Sequence, residues 1–169
     1  MTYSTNCCDD QLIIDMRKEH QFLYRGINHE LYKKTRGILV PKSRDPFEFT
    51  FQLDGSFFFD GSATLGPSVQ NAVLRHELRQ EGFPTAGIST TPFFERAQFY
   101  ATGGRTHSKG YVVRIDRERL AGFGVREYVV ADWVPYPSVP EDEEVIIVAA
   151  DCGPLPSGIL VEVIEVFAK

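Results

Sequence analysis

Residues 87–101 leave the chain little conformational freedom: Gly87-Ile88-Ser89-Thr90-Thr91-Pro92, then Phe93-Phe94-Glu95-Arg96-Ala97-Gln98-Phe99-Tyr100-Ala101. A short β-branched run that ends in three hydroxyl residues and then Pro-Phe-Phe reads as a strand handing over to a helix. Proline's fixed φ suits a first helical turn, where its missing N–H has no intrahelical partner in any case. Thr91 is therefore the expected N-cap of a helix from about 92 to 101. Phe93, Ala97, Tyr100 and Ala101 would form its buried stripe, with Glu95, Arg96 and Gln98 outward. Ser89 and Thr90 are left at the strand end, where side chains meet a cleft. A strand end and a capped helix alone would explain the same residues.

The other elements predicted from the pattern are short. Asp10 to His20 carries Leu12, Ile13 and Met16 at helical spacing behind a loose polar stretch at 1–9. Gln21 to Ile27 reads as a strand in which Arg25-Gly26 interrupts the apolar run; Leu31 to Val40 is open between a short helix and a turn. Residues 42–66 read as an irregular loop rich in Phe. Gly66-Pro67-Ser68 opens a helix with Val69, Ala72, Val73, His76 and Leu78 near one face and Gly82 as its stop. His76 on that face reads as a satisfied core histidine rather than a base. Strands follow at Gly110–Ile115, Tyr128–Val130, Val145–Val148 and Ile159–Phe167, with a Pro-rich extended loop at 135–140. Strands in groups with few long helices favour α+β over a doubly wound sheet.

Size and charge narrow the function. The 169 residues are read as one domain, long enough for a core without disulfide or metal support. With 18 basic against 23 acidic residues, net −5, a broad grip on phosphate backbones is not expected, so nucleic acid is an unlikely partner by charge. Three cysteines, with Cys7 and Cys8 adjacent, fit reduced thiols in a cytosol. No Cys/His cluster has metal-ligand spacing, no stretch approaches a membrane span, and the first residues do not spell a secretory signal. A monomer is expected, working in its own cytoplasm or delivered to another without a cleaved signal. Walker loops and nucleophile elbows are absent, and Gly103-Gly104 is too short to cradle phosphate.

Glu141-Asp142-Glu143-Glu144 runs straight into Val145-Ile146-Ile147-Val148. Such a run is as well explained by a solvated edge that guards against aggregation as by function. Strand alternation would put Asp142 and Glu144 on one face and Glu141 and Glu143 on the other, so one pair can point into a cleft.

The order of these elements, Tyr24-Arg25-Gly26, then Ser89-Thr90-Thr91, then Asp142-Glu143-Glu144-Val145-Ile146, resembles the mono-ADP-ribosyltransferases of the arginine–serine–glutamate class. Thr91 stands where that family has a second serine, and Asp142 where Glu or Gln precedes the catalytic glutamate by two. Glu141-x-Glu143 matches the family spelling better, but Glu144, followed directly by the β-branched run, is taken as the catalytic residue.

The resemblance implies a split antiparallel β-sandwich with short flanking helices and NAD, as co-substrate, in the cleft between two small sheets. It implies transfer of ADP-ribose to a protein side chain, arginine first, with release of nicotinamide, as in a bacterial effector or toxin. Glu144 would stabilise the oxocarbenium-like ribose, which develops positive charge only toward the transition state. Arg25 would fork onto the NAD phosphates, and Gly26 would let the backbone approach the nicotinamide amide. Ser89 would hold the Glu144 rotamer, Thr90 and Thr91 would line the pocket, and Asp142 would orient or deprotonate the nucleophile. Phe57 or Phe58 would stack on nicotinamide. An NAD glycohydrolase and a non-catalytic NAD- or ADP-ribose-binding module of the same fold are the alternatives.

Overall fold

A computed structural model describes residues 20–48, 66–77 and 84–168. The expected helix at 10–20, the aromatics Phe57 and Phe58, Gly82, and the adjacent Cys7 and Cys8 lie outside the described residues. Strand β1 (Phe22–Asn28) leads into helix α1 (His29–Thr35), and helix α2 (Val69–Glu77) precedes β2 (Ile88–Thr90) and helix α3 (Phe94–Ala101). Strands β3 (Lys109–Asp116), β4 (Val125–Val129), β5 (Val145–Ala149) and β6 (Leu160–Phe167) complete the order, joined by short 3-10 turns. Two antiparallel three-stranded sheets result, β1-β3-β6 and β2-β5-β4. Among the described residues the fold is α+β with no closed barrel, as the resemblance implied.

Strand alternation builds four layers. Leu23, Ile27, Val113 and Ile115 of the first sheet meet Ile88, Val145, Ile147 and Ala149 of the second in a shared core. On the far side of the first sheet, Ala97 and Ala101 of α3 pack on Val112 and Val166. On the far side of the second, Ala72 and Val73 of α2 pack with Ile146, Val148 and Phe47. Strand β5 is covered on both faces, which is why its five residues are apolar without alternation. Gly26 and Gly110 let α3 approach this closely. A Cβ on Gly26 would run into the Ala97 carbonyl oxygen and lie 2.7 Å from the Ala101 amide nitrogen.

Among the described residues one β-bridge links the two sheets. Tyr24 and Thr91 exchange both main-chain hydrogen bonds, at 2.8 and 3.0 Å, and then β1 and β2 diverge. This bridge corrects the expected capping. The helix starts at Phe94, not Pro92, because Thr91 is still engaged in the strand bridge; its hydroxyl accepts the Phe93 N–H at 3.1 Å from outside the helix. The stripe is narrower than expected, since Ala97 and Ala101 are buried while Tyr100 leans outward. Between Leu31 and Val40 the helix is α1, capped by the Asn28 side chain on the Leu31 N–H at 2.8 Å and ended by Arg36 and Gly37 at positive φ.

Candidate functional site

A cleft of about 560 Å³ opens where β1 and β2 part, within the 300–1,000 Å³ usual for small-molecule sites. Its walls include Arg25 and Gly26 of β1, Ser89 and Thr90 of β2, His76 of α2, Tyr100 of α3, and both Asp142 and Glu144. Lys42 and Arg75 join Arg25 along it, so a chain of net negative charge gathers three cations here.

Arg25 lies on the sandwich face of β1, and its Nη1 donates to the Ser89 carbonyl oxygen at 2.9 Å. Gly26, one residue on, faces the other way. The lack of a side chain there serves the α3 backbone, a packing reason for the glycine besides the one expected. Thr90 and Thr91 also work mainly within the protein. The Thr90 hydroxyl donates to the Val145 carbonyl and the Thr91 hydroxyl to the Asp142 carbonyl, each at 2.6 Å. Together they clamp β2 to the acidic turn and the strand behind it.

The acidic run is not a strand entrance. Residues Pro140–Asp142 form a 3-10 turn, Glu143 takes the left-handed conformation at φ 42°, and β5 begins only at Val145. Asp142 and Glu144 still both turn inward, and Glu141 and Glu143 outward, but the reversal at Glu143 causes this rather than strand pleating. Asp142, buried at 5 % exposure, is held by Arg96 Nε at 2.5 Å and by the Tyr100 hydroxyl. Both Asp142 carboxylate oxygens are thus engaged within the protein, by a guanidinium and a phenol.

Glu144 sits among donors. The Ser89 hydroxyl bonds to it, His76 Nε2 lies 3.5 Å from its Oε1, and the Glu77 side chain also reaches it. Burial works against its charge, but the bonds from His76, Glu77 and Ser89 prevail and hold its carboxyl well below the usual carboxylate range. His76 bonds to Ser89 Oγ at 2.8 Å through Nε2 and to Thr85 Oγ1 at 2.6 Å through Nδ1. Because Ser89 donates to the carboxylate, it accepts from His76 Nε2–H, and the polar chain runs Thr85, His76, Ser89, Glu144.

Three members of this site escaped the reading of the sequence. His76 is satisfied, as expected, but in the site and not in the core. Glu77 carries a signal in the pattern: four residues from Val73, it places an acid on an apolar helical stripe. Arg96 reads as outward-facing from the sequence because nothing in α3 itself shows that Asp142 folds back to meet it.

A family model described as NarE matches residues 22–147 of the 169. The chain belongs to the NarE family. NarE proteins are ADP-ribosyltransferase-like, and the matched span begins at the first residue of β1 and ends within β5, enclosing Arg25, Ser89 and Glu144. No curated protein matches the sequence. Among the described residues of this NarE-family chain, no group of His, Cys, Asp or Glu is placed to hold a metal ion. No helix among them is long and apolar enough to cross a membrane.

Proposed function

We propose that the chain is a mono-ADP-ribosyltransferase that moves ADP-ribose from NAD to a protein side chain and releases nicotinamide. The observation that carries this reading is Glu144, an anion held by His76 and Ser89 at the cleft wall that also presents Arg25. NAD suits the site by charge, since Arg25, Lys42 and Arg75 line the cleft that would receive its pyrophosphate.

In the reaction the bond between ribose C1′ and the nicotinamide nitrogen breaks, and nicotinamide leaves neutral with the electron pair. The ribose becomes oxocarbenium-like, and an acceptor lone pair closes on C1′ as the acceptor loses a proton. Glu144, beside the ribose, would interact more strongly as that positive charge grows, and so lower the barrier rather than merely bind. Ser89 and His76 hold its orientation, which matters because small displacements of a catalytic group cost large factors in rate.

Asp142 favours a second reading. With its carboxylate bound by Arg96 and Tyr100, it is not placed to take a proton from an incoming arginine, and water as acceptor would make the chain an NAD glycohydrolase. Incubation with NAD labelled in the adenylate portion, with and without a cell lysate, separates these readings. Labelled protein bands that depend on Glu144 support transfer, and free ADP-ribose without labelled protein supports hydrolysis. Binding without turnover marks a non-catalytic module, and no binding at all overturns the site.

A further inference from the structure

Glu77 ends α2 at 7 % exposure, and the proposed reaction gives it no role. Its Oε2 accepts the Ser138 N–H at 2.8 Å, the Ser138 hydroxyl reaches its main-chain carbonyl at 3.4 Å, and its side chain meets that of Glu144. Among the described residues, the titratable group facing it is Glu144, from the entrance of β5. The 135–140 segment offers the Ser138 amide and no charged side chain.

Two carboxyl groups can hydrogen-bond to each other only while one keeps a proton. The partners decide which. Glu144 is surrounded by the donors His76 and Ser89, which favour its anion, whereas Glu77, among the described residues, accepts only from Ser138. Burial first, and then the bond to Glu144, raise the Glu77 carboxyl above its ordinary value against the opposing Ser138 N–H.

We propose that Glu77 is a positioning residue that holds the single proton of the pair, donates it to Glu144, and ties the catalytic carboxylate through Ser138 to the 135–140 segment. The inference rests on the reading of Glu144 as the catalytic group. When pH rises far enough to remove the proton, two like charges face each other and Glu144 is displaced. Turnover should therefore fall on the alkaline side, with the KM for NAD changed far less.

The test uses the full chain and labelled NAD from about pH 5 to 9. Glu77→Gln keeps a donor and an acceptor but cannot titrate, so it should retain kcat within about threefold of wild type at the optimum and lose the alkaline fall. Glu77→Ala should lower kcat about tenfold or more with little change in KM. A Gln variant as poor as the Ala variant, a Gln variant that keeps the alkaline fall, or an Ala variant of wild-type kcat would each overturn the proposal.

Carbon-13 NMR of the glutamate carboxyls reads the pair without activity. Glu144 should respond when Glu77 deprotonates, and that response should vanish in Glu77→Gln; two carboxyls titrating independently at ordinary values would overturn the shared proton. Coupled titration in a wild-type chain that leaves NAD intact would support the shared proton and overturn the reaction instead.

Discussion

Arg25 Nη1 donates to the Ser89 carbonyl oxygen at 2.9 Å, one residue beyond the Tyr24–Thr91 bridge on β1 and two before it on β2. The bond spans the place where the two sheets part, so the guanidinium both closes the seam and faces the cleft. Lysine keeps the charge but presents a compact ammonium without the planar fork. Arg25→Lys should weaken NAD binding by about 1–3 kcal/mol. Titration calorimetry with NAD checks this, and unchanged affinity would assign Arg25 to the seam alone.

Glu144 is aimed into the site and Glu143 away from it. Glu144→Gln should abolish transfer while leaving NAD affinity within a few-fold, whereas Glu143→Gln should remain active. Ser89→Ala should slow turnover about tenfold or more at nearly constant melting temperature. The double variant should be no slower than Glu144→Gln alone, because the serine acts through the glutamate. Fully additive losses in that kinetic cycle would separate the two residues.

Asp142 and Arg96 join the acidic turn to α3. Removing one partner of a largely buried pair leaves the other poorly compensated, so Asp142→Ala should destabilise the fold by about 2–4 kcal/mol. If the aspartate serves the fold and the shape of the turn, nicotinamide release and protein labelling should fall together. Urea unfolding of the single variants and of Asp142→Ala with Arg96→Met should return a favourable coupling between the two side chains. Loss of protein labelling alone, with stability intact, would restore a direct role toward the acceptor.

Gly26→Ala tests why Arg25 is followed by glycine. The added methyl meets main-chain atoms of α3, which cannot rotate away as a side chain could. A loss of about 3 kcal/mol or more is expected, measured by denaturant unfolding. A stable variant that fails only to bind NAD would return the glycine to the ligand.

Much of the fold was legible because it is local. The β-branched runs gave five of the six strands in outline, Ser68 and the apolar spacing after it announced α2, and the order Arg-Gly, Ser-Thr-Thr, acidic run pointed to the cleft. These depend on periodicity and turn chemistry within a few residues of one another. The tertiary structure alone decided which hydroxyls face the protein and which carboxyls face the site. Thr90 and Thr91 spend their hydroxyls on carbonyls more than fifty positions away, Asp142 meets α3 across more than forty, and Glu77 reaches Glu144 from α2. A hydrogen bond is short-ranged and directional, so its partner is chosen only after the sheets have closed. The left-handed turn at Glu143 shows the same division. The sequence supplied four adjacent acids, and the backbone reversal at Glu143 selected the two that turn inward.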